Sequence, residues 1–248
     1  MASKCHLVPI KKLILYKIKS IALQNGLTPI MNKIPVYMMP GLAANSLIFE
    51  NIKLPESTFE IHLLDWETPM GNETLSSYAE RMAKLVKHEK AVLIGVSFGG
   101  VLVQEMANFL NLRKLIIISS IKSNLELPLP MKIAKTTKAY KLMPTSLFQN
   151  IEALVKLSFG NAVKQRLNLY QKYMSMREKV YLDWAIKQMV LWNRVEEDKN
   201  VVHIHGDADA VFPIKNIKNC IVIKGGTHIM ILTKYKWLNE NLPRIILE

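Results

Sequence analysis

The chain has 248 residues, half of them hydrophobic and 21% charged, a balance that excludes extensive disorder and gives one α/β core enough apolar surface to bury. Its formal charge of +13 suits either anionic partners or plain solubility; no basic run interleaved with aromatics marks a nucleic-acid module, so no nucleic-acid partner is expected. The two cysteines, Cys5 and Cys220, cannot build a disulfide framework and neither stands at metal-site spacing, which points to a reducing, cytoplasmic setting and away from a cysteine-based metal centre.

The first patterned stretch is KKLILYKIKSIAL at 11–23, where Leu13, Ile14, Ile18, Ile21 and Ala22 recur at helical spacing among Lys11, Lys12, Lys17 and Lys19. It reads as a short basic amphipathic helix, either packed on the core or associating weakly with an anionic membrane surface. Lysines interrupt its apolar residues and no clear cleavage site follows, so no signal peptide is expected; nor is any apolar run long enough to span a bilayer.

Short apolar runs follow at 34–39, 59–64, 91–96, 114–119, 201–205 and 220–224. They predict about six strands, and their consecutive apolar residues are those of parallel strands buried on both faces. Helical spacing at 74–88 and 100–111 lies between them. The alternation predicts an α/β fold with a doubly wound, mostly parallel sheet. The rhythm breaks at 121–200, which reads as a helical cap inserted after the fourth strand, within a single domain spanning 1–248. Pro128, Pro130 and Pro144 punctuate its first half, and 178–195 reads as one amphipathic helix with Leu182, Ile186, Met189 and Trp192 near one face. Lying over the C-terminal ends of the strands, such an insertion would roof a pocket.

Between the strand at 91–96 and the next helix stands Gly95-Val96-Ser97-Phe98-Gly99, a GxSxG run in the strand-to-helix setting that the motif requires. A serine on so sharp a turn needs neighbours without bulk, and Gly95 and Gly99 meet that need. A serine hydroxyl is a poor nucleophile at neutral pH. It needs a histidine base, and the histidine needs a carboxylate to fix its tautomer and stabilise the imidazolium. The turn GDADAVFP at 206–213 follows the fifth strand and carries Asp207 and Asp209; GGTH follows the sixth and carries His228. Each residue has a duller role open to it, Ser97 as a helix cap, Asp209 as a turn acid and His228 as a loop residue. Their appearance in the order Ser, Asp, His after the third, fifth and sixth strands favours the catalytic reading. His203 and His205 are expected on different faces of their strand with no shared metal site, and these two, His6, His62 and His88 are read as structural. No metal and no cofactor is implied.

Through GVSFGG, HGDADAVFP and GGTH together the sequence resembles the α/β-hydrolase fold family from about residue 34 to the end. The resemblance implies Ser97 as nucleophile, His228 as general base and acid, and Asp209 as the orienting acid, with Asp207 a residue of the turn; standing only two residues away, Asp207 is kept as the alternative acid. It also implies an oxyanion hole of two backbone amides, those of Phe98 and, in the loop YMMPGLAANSLIF at 37–49, Leu42. Many relatives have histidine before the glycine of that loop; this chain has Pro40. Ser119 and Ser120 stand where some relatives place the acid, and neither is a carboxylate.

Such a constellation performs acyl transfer, which implies hydrolysis of a carboxylic ester or thioester and a small-molecule acyl substrate. The insertion offers Met131, Met143, Leu147, Phe148, Leu154, Leu157, Met174, Met176, Trp184 and Met189, side chains that suit an apolar pocket and equally well an ordinary core. Its 14 basic against 7 acidic residues between Lys122 and Lys199 are compatible with a substrate bearing an anionic head. Two alternatives stand beside hydrolysis: a non-catalytic small-molecule binding protein of the same fold, and an acyltransferase or carbon–carbon hydrolase using the same three residues.

Overall fold

A computed structural model of the chain describes residues 32–142 and 172–248. The amphipathic stretch at 11–23 lies outside them, as do Met143, Leu147, Phe148, Leu154 and Leu157 of the insertion.

Six strands form one sheet: β1 (Ile34–Met39), β2 (Phe59–Leu63), β3 (Ala91–Val96), β4 (Leu112–Ile118), β5 (Val201–Gly206) and β6 (Ile221–Ile223). Their order is β2-β1-β3-β4-β5-β6, and every neighbouring pair is parallel. The central strand β3 is buried at every position, as its unbroken apolar run requires. Alternate residues of β1 serve opposite faces. Tyr37 and Met39 join the apolar layer that includes Leu93, Ile117, Tyr78 and Met82, whereas Val36 and Met38 join Ile94, Ile116, Leu238 and Ile245 on the other side.

Helix α1 (Leu75–Ala83) begins at Thr74, whose hydroxyl accepts from the Ser77 amide at 3.1 Å, an N-cap that satisfies one of the four unpaired first-turn donors. Helix α2 (Phe98–Met106) starts two residues earlier than its spacing predicts. It takes in Gly99 and Gly100 although glycine weakens a helix interior; close packing against the sheet overrides that preference. Between β4 and β5 lie α3 (Leu129–Thr137) and α4 (Lys179–Leu191), and after β6 come the one-turn α5 (Met230–Thr233) and α6 (Tyr235–Leu247). Helix α4 is more deeply sunk than an amphipathic helix with one apolar face. Tyr181, Leu182, Trp184, Ala185, Ile186, Met189 and Val190 are all buried, leaving Lys179, Val180, Asp183 and Lys187 exposed. The Trp184 indole N–H donates to the Glu73 carbonyl at 2.7 Å just before α1, which ties α4 to the body of the sheet.

From β1 the chain runs outward to β2 and then crosses back past β1 to β3. In parallel sheets such a reversal opens a crevice at the C-terminal ends of the two strands, where the following loops part in opposite directions. The loop after β1 and Ser97 after β3 both emerge there. No helix of the described residues is long and apolar enough to cross a membrane.

Candidate active site

Ser97 links β3 directly to α2 with φ 53° and ψ −122°, a left-handed conformation that a non-glycine residue adopts only when its surroundings enforce it. The enforcement is steric. A methyl group on Gly95 would collide with the Gly99 carbonyl, and one on Gly99 with the Pro40 carbonyl, so only glycine lets α2 pack this close to β3 and β1. Hydrogen bonds hold the turn from below: the Ser97 amide donates to the Ile118 carbonyl at 2.9 Å, and the Ser120 hydroxyl donates to the Ser97 carbonyl at 2.7 Å. Ser97 makes no side-chain cap to α2, so the helix-cap role does not occupy its hydroxyl.

That hydroxyl points instead at His228, in the loop between β6 and α5, with Oγ 2.9 Å from Nε2. On the other side of the ring Nδ1 lies 2.9 Å from Asp209 Oδ2. Burial pushes the Asp209 carboxyl up, but the hydrogen bond and charge of His228 and the Phe212 amide outweigh it, and the group titrates below its ordinary value. An ionised carboxylate only accepts, so His228 carries its proton on Nδ1 and offers the Nε2 lone pair to the Ser97 hydroxyl. Asp209 is only 4% exposed. Its Oδ1 also accepts from the amides of Val211 and Phe212 at 2.8 and 2.9 Å, an Asx-type brace that fixes the carboxylate in the turn. Asp207 is exposed and its Oδ1 accepts from the Gly225 amide at 2.6 Å; it joins the two loops and does not reach His228.

The loop after β1 crosses the face of Ser97. A methyl group on Gly41 would stand 3.3 Å from Ser97 Cβ and 3.9 Å from its Oγ. Among the described residues neither the Leu42 amide nor the Phe98 amide is hydrogen-bonded to another protein group. Unpaired backbone N–H groups beside a serine hydroxyl are able to stabilise negative charge that develops there.

Behind Asp209 the expectation for two histidines is corrected. His203 and His205 share one face of β5, because strand side chains repeat with period two; their nitrogens lie 3.1 Å apart, His203 Nε2 to His205 Nδ1. His205 Nε2 donates to the Phe212 carbonyl at 2.8 Å, which leaves Nδ1 to accept from His203. Desolvation pushes His203 down to about 3 and His205 below its ordinary value, so both are buried neutral imidazoles. Among the described residues no group of three or more His, Cys, Asp or Glu is arranged to hold a metal ion. His62 stacks on Tyr37 with ring centres 4.6 Å apart, and His88 Nδ1 shares a 2.7 Å hydrogen bond with the Tyr37 hydroxyl; His62 of β2 and His88 of the turn before β3 thus cluster around Tyr37 of β1. His6 lies outside the described residues. Ser120 carries no sequence signal for its role: only the three-dimensional approach of the end of β4 to the Ser97 turn brings its hydroxyl to the Ser97 carbonyl.

No family model and no curated protein matches the sequence. Solved structures do. The chain is similar to an enol-lactonase from Burkholderia xenovorans LB400, at 12% identity with 89% of this chain and 94% of that one covered and a TM-score of 0.66. It is similar to a carboxylesterase from the thaumarchaeon Nitrososphaera gargenis, at 15% identity over 87% and 90% of the two chains with a TM-score of 0.64. A bromoperoxidase from Bacillus anthracis matches at 17% identity over 87% and 92%, with a TM-score of 0.61. With these neighbours, a six-stranded parallel sheet and a serine on the turn that follows its third strand, the chain has the fold of the α/β-hydrolases.

Proposed function

We propose that the chain is a serine hydrolase that cleaves a carboxylic ester or thioester through an acyl-enzyme on Ser97. The observation that carries this reading is the unbroken line from Ser97 Oγ through His228 to Asp209, at 2.9 Å and 2.9 Å. It starts from a serine whose backbone is held in a left-handed turn and whose hydroxyl has no structural duty. The names of two neighbours, an enol-lactonase and a carboxylesterase, agree with ester chemistry.

In the first half-reaction the Ser97 proton passes to His228 Nε2 as Oγ bonds to the substrate carbonyl carbon. The carbonyl oxygen becomes an oxyanion, stabilised by the Leu42 and Phe98 amides, and Asp209 stabilises the imidazolium without taking its proton. Collapse breaks the bond to the leaving oxygen or sulfur, which receives the proton from Nε2. Water then attacks the acyl carbon, gives a proton to Nε2, and the carbon–Oγ bond breaks as that proton returns to Ser97. No metal or cofactor takes part in these steps. The part of 121–200 that packs near the loop after β1 is read as the cap: the Asn45 amide donates to the Tyr173 carbonyl at 2.8 Å and the Met176 amide to the Ala43 carbonyl at 3.2 Å.

A panel of esters and thioesters of increasing acyl length, with mass spectrometry of the quenched protein, tests the reading. Turnover with an acyl adduct on Ser97, absent in Ser97→Ala, is the expected result. Stoichiometric ligand binding by a folded protein with no turnover and no adduct would favour the binding-protein alternative, and acyl transfer to an added alcohol in preference to water the transferase.

A further inference from the structure

Just beyond β2, Trp66 is buried, with 7% of its surface exposed, against Gly41, Tyr78, Phe98 and Tyr181. Its indole N–H donates to the Gly41 carbonyl at 2.8 Å. Its ring lies flat on Phe98, with ring centres 5.2 Å apart and planes 9° apart. Tyr181 of α4 packs against the same indole with ring centres 5.3 Å apart, and its hydroxyl accepts from the Ala43 amide at 3.4 Å. The Gly41 carbonyl also accepts from the Ala44 amide at 3.1 Å.

The Gly41 carbonyl and the Leu42 N–H are opposite ends of one planar trans peptide. Fixing the direction of the oxygen therefore fixes the direction of the N–H. A donor on the carbonyl also polarises the peptide and makes its N–H a stronger donor. Pro40, which precedes this glycine, has no N–H and no side-chain donor with which to hold the loop. The indole supplies such a hold from another part of the chain.

We propose that Trp66 is a positioning residue for the oxyanion hole: one side chain sets the plane of the Gly41–Leu42 peptide by its N–H and the seat of Phe98 by its ring. The inference rests on the hydrolase reading and adds a residue to it. Trp66 acts through the two amides, and its effect is confined to the state in which the carbonyl oxygen carries charge.

The test compares wild type with Trp66→Phe, which keeps an aromatic ring against Phe98 and removes the N–H. Three quantities are measured: kcat, KM, and the inhibition constant of a trifluoromethyl ketone, which forms a tetrahedral adduct on a reactive serine. Removing an oxyanion donor outright typically costs about 100- to 1000-fold in kcat; misdirecting one is expected to cost about 10- to 100-fold. KM should change less than about threefold, and the inhibition constant should rise in step with the loss in kcat/KM. That constant is independent of how much of the preparation is folded, so general destabilisation does not move it. If Trp66→Phe fails to fold, benzothienylalanine at position 66, which keeps the fused-ring shape and replaces N–H by sulfur, makes the same comparison. Unchanged kcat and unchanged ketone affinity in Trp66→Phe, beside a wild type that turns over ester, would overturn the role of Trp66 and leave the hydrolase reading intact. A folded wild type that neither turns over ester nor binds the ketone would overturn both.

Discussion

Ser97, His228 and Asp209 each make contacts that a serine, histidine or aspartate in an ordinary loop has no need of. Asp209 is the most telling, because two backbone amides and His228 converge on one buried carboxylate. Its folded titration lies below the ordinary carboxylate value. The sign follows: ionised Asp209 stabilises the fold at pH above the unfolded value, and that contribution is lost as pH falls through the folded one. Asp209→Asn is expected to lower kcat by about 10³–10⁴, the scale set by the same substitution in serine proteases, because the amide favours the wrong imidazole tautomer. Asp207→Asn, at a carboxylate whose hydrogen bond among the described residues is to the Gly225 amide, should leave kcat within about threefold and cost about 1 kcal/mol of stability. Steady-state kinetics and urea unfolding of the two variants separate the acids that the sequence alone left two residues apart.

At the scale of elements the crossing of β3, α2 and the β1 loop is the least tolerant part of the molecule. Gly95→Ala places a methyl group into the Gly99 carbonyl. It is expected to cost about 1–3 kcal/mol or more, the range for overpacking, and to abolish turnover by opening the Ser97 turn. Helix α4 is held differently, through the buried Trp184 and its bond to the Glu73 carbonyl. Trp184→Ala should lower unfolding free energy by about 3–5 kcal/mol in urea. The strands and the Ser97 turn were legible because a buried parallel strand writes an unbroken apolar run and a tight strand-to-helix turn excludes side chains at fixed offsets. The roles of Trp66, Tyr181 and Ser120 were not legible, since each is defined by a partner more than 20 residues away that only the packed chain supplies. The two histidines of β5 were misplaced for a simpler reason: their spacing of two, read correctly, puts them on one face.

Across the whole molecule those same histidines couple the fold to pH. With His203 held down to about 3 against an ordinary value of 6.5, the unfolded chain takes up a proton below pH 6.5 that the folded chain refuses. Unfolding free energy therefore falls by about 1.4 kcal/mol per pH unit for each such histidine as pH drops through that window. His203→Gln is expected to start less stable at pH 7, having lost its bond to His205, yet to show a shallower decline between pH 6.5 and 4.5. Urea unfolding across that range measures it; an unchanged slope would mean that His203 is protonated in the fold. The hydrolase account itself rests on one property, a Ser97 hydroxyl activated by its two partners. Treating the purified protein with a fluorescent fluorophosphonate tests it most directly. The account predicts a covalent adduct on Ser97 in the wild type, none in Ser97→Ala or His228→Ala, and much slower labelling in Asp209→Asn. A folded wild type that stays unlabelled would contradict it.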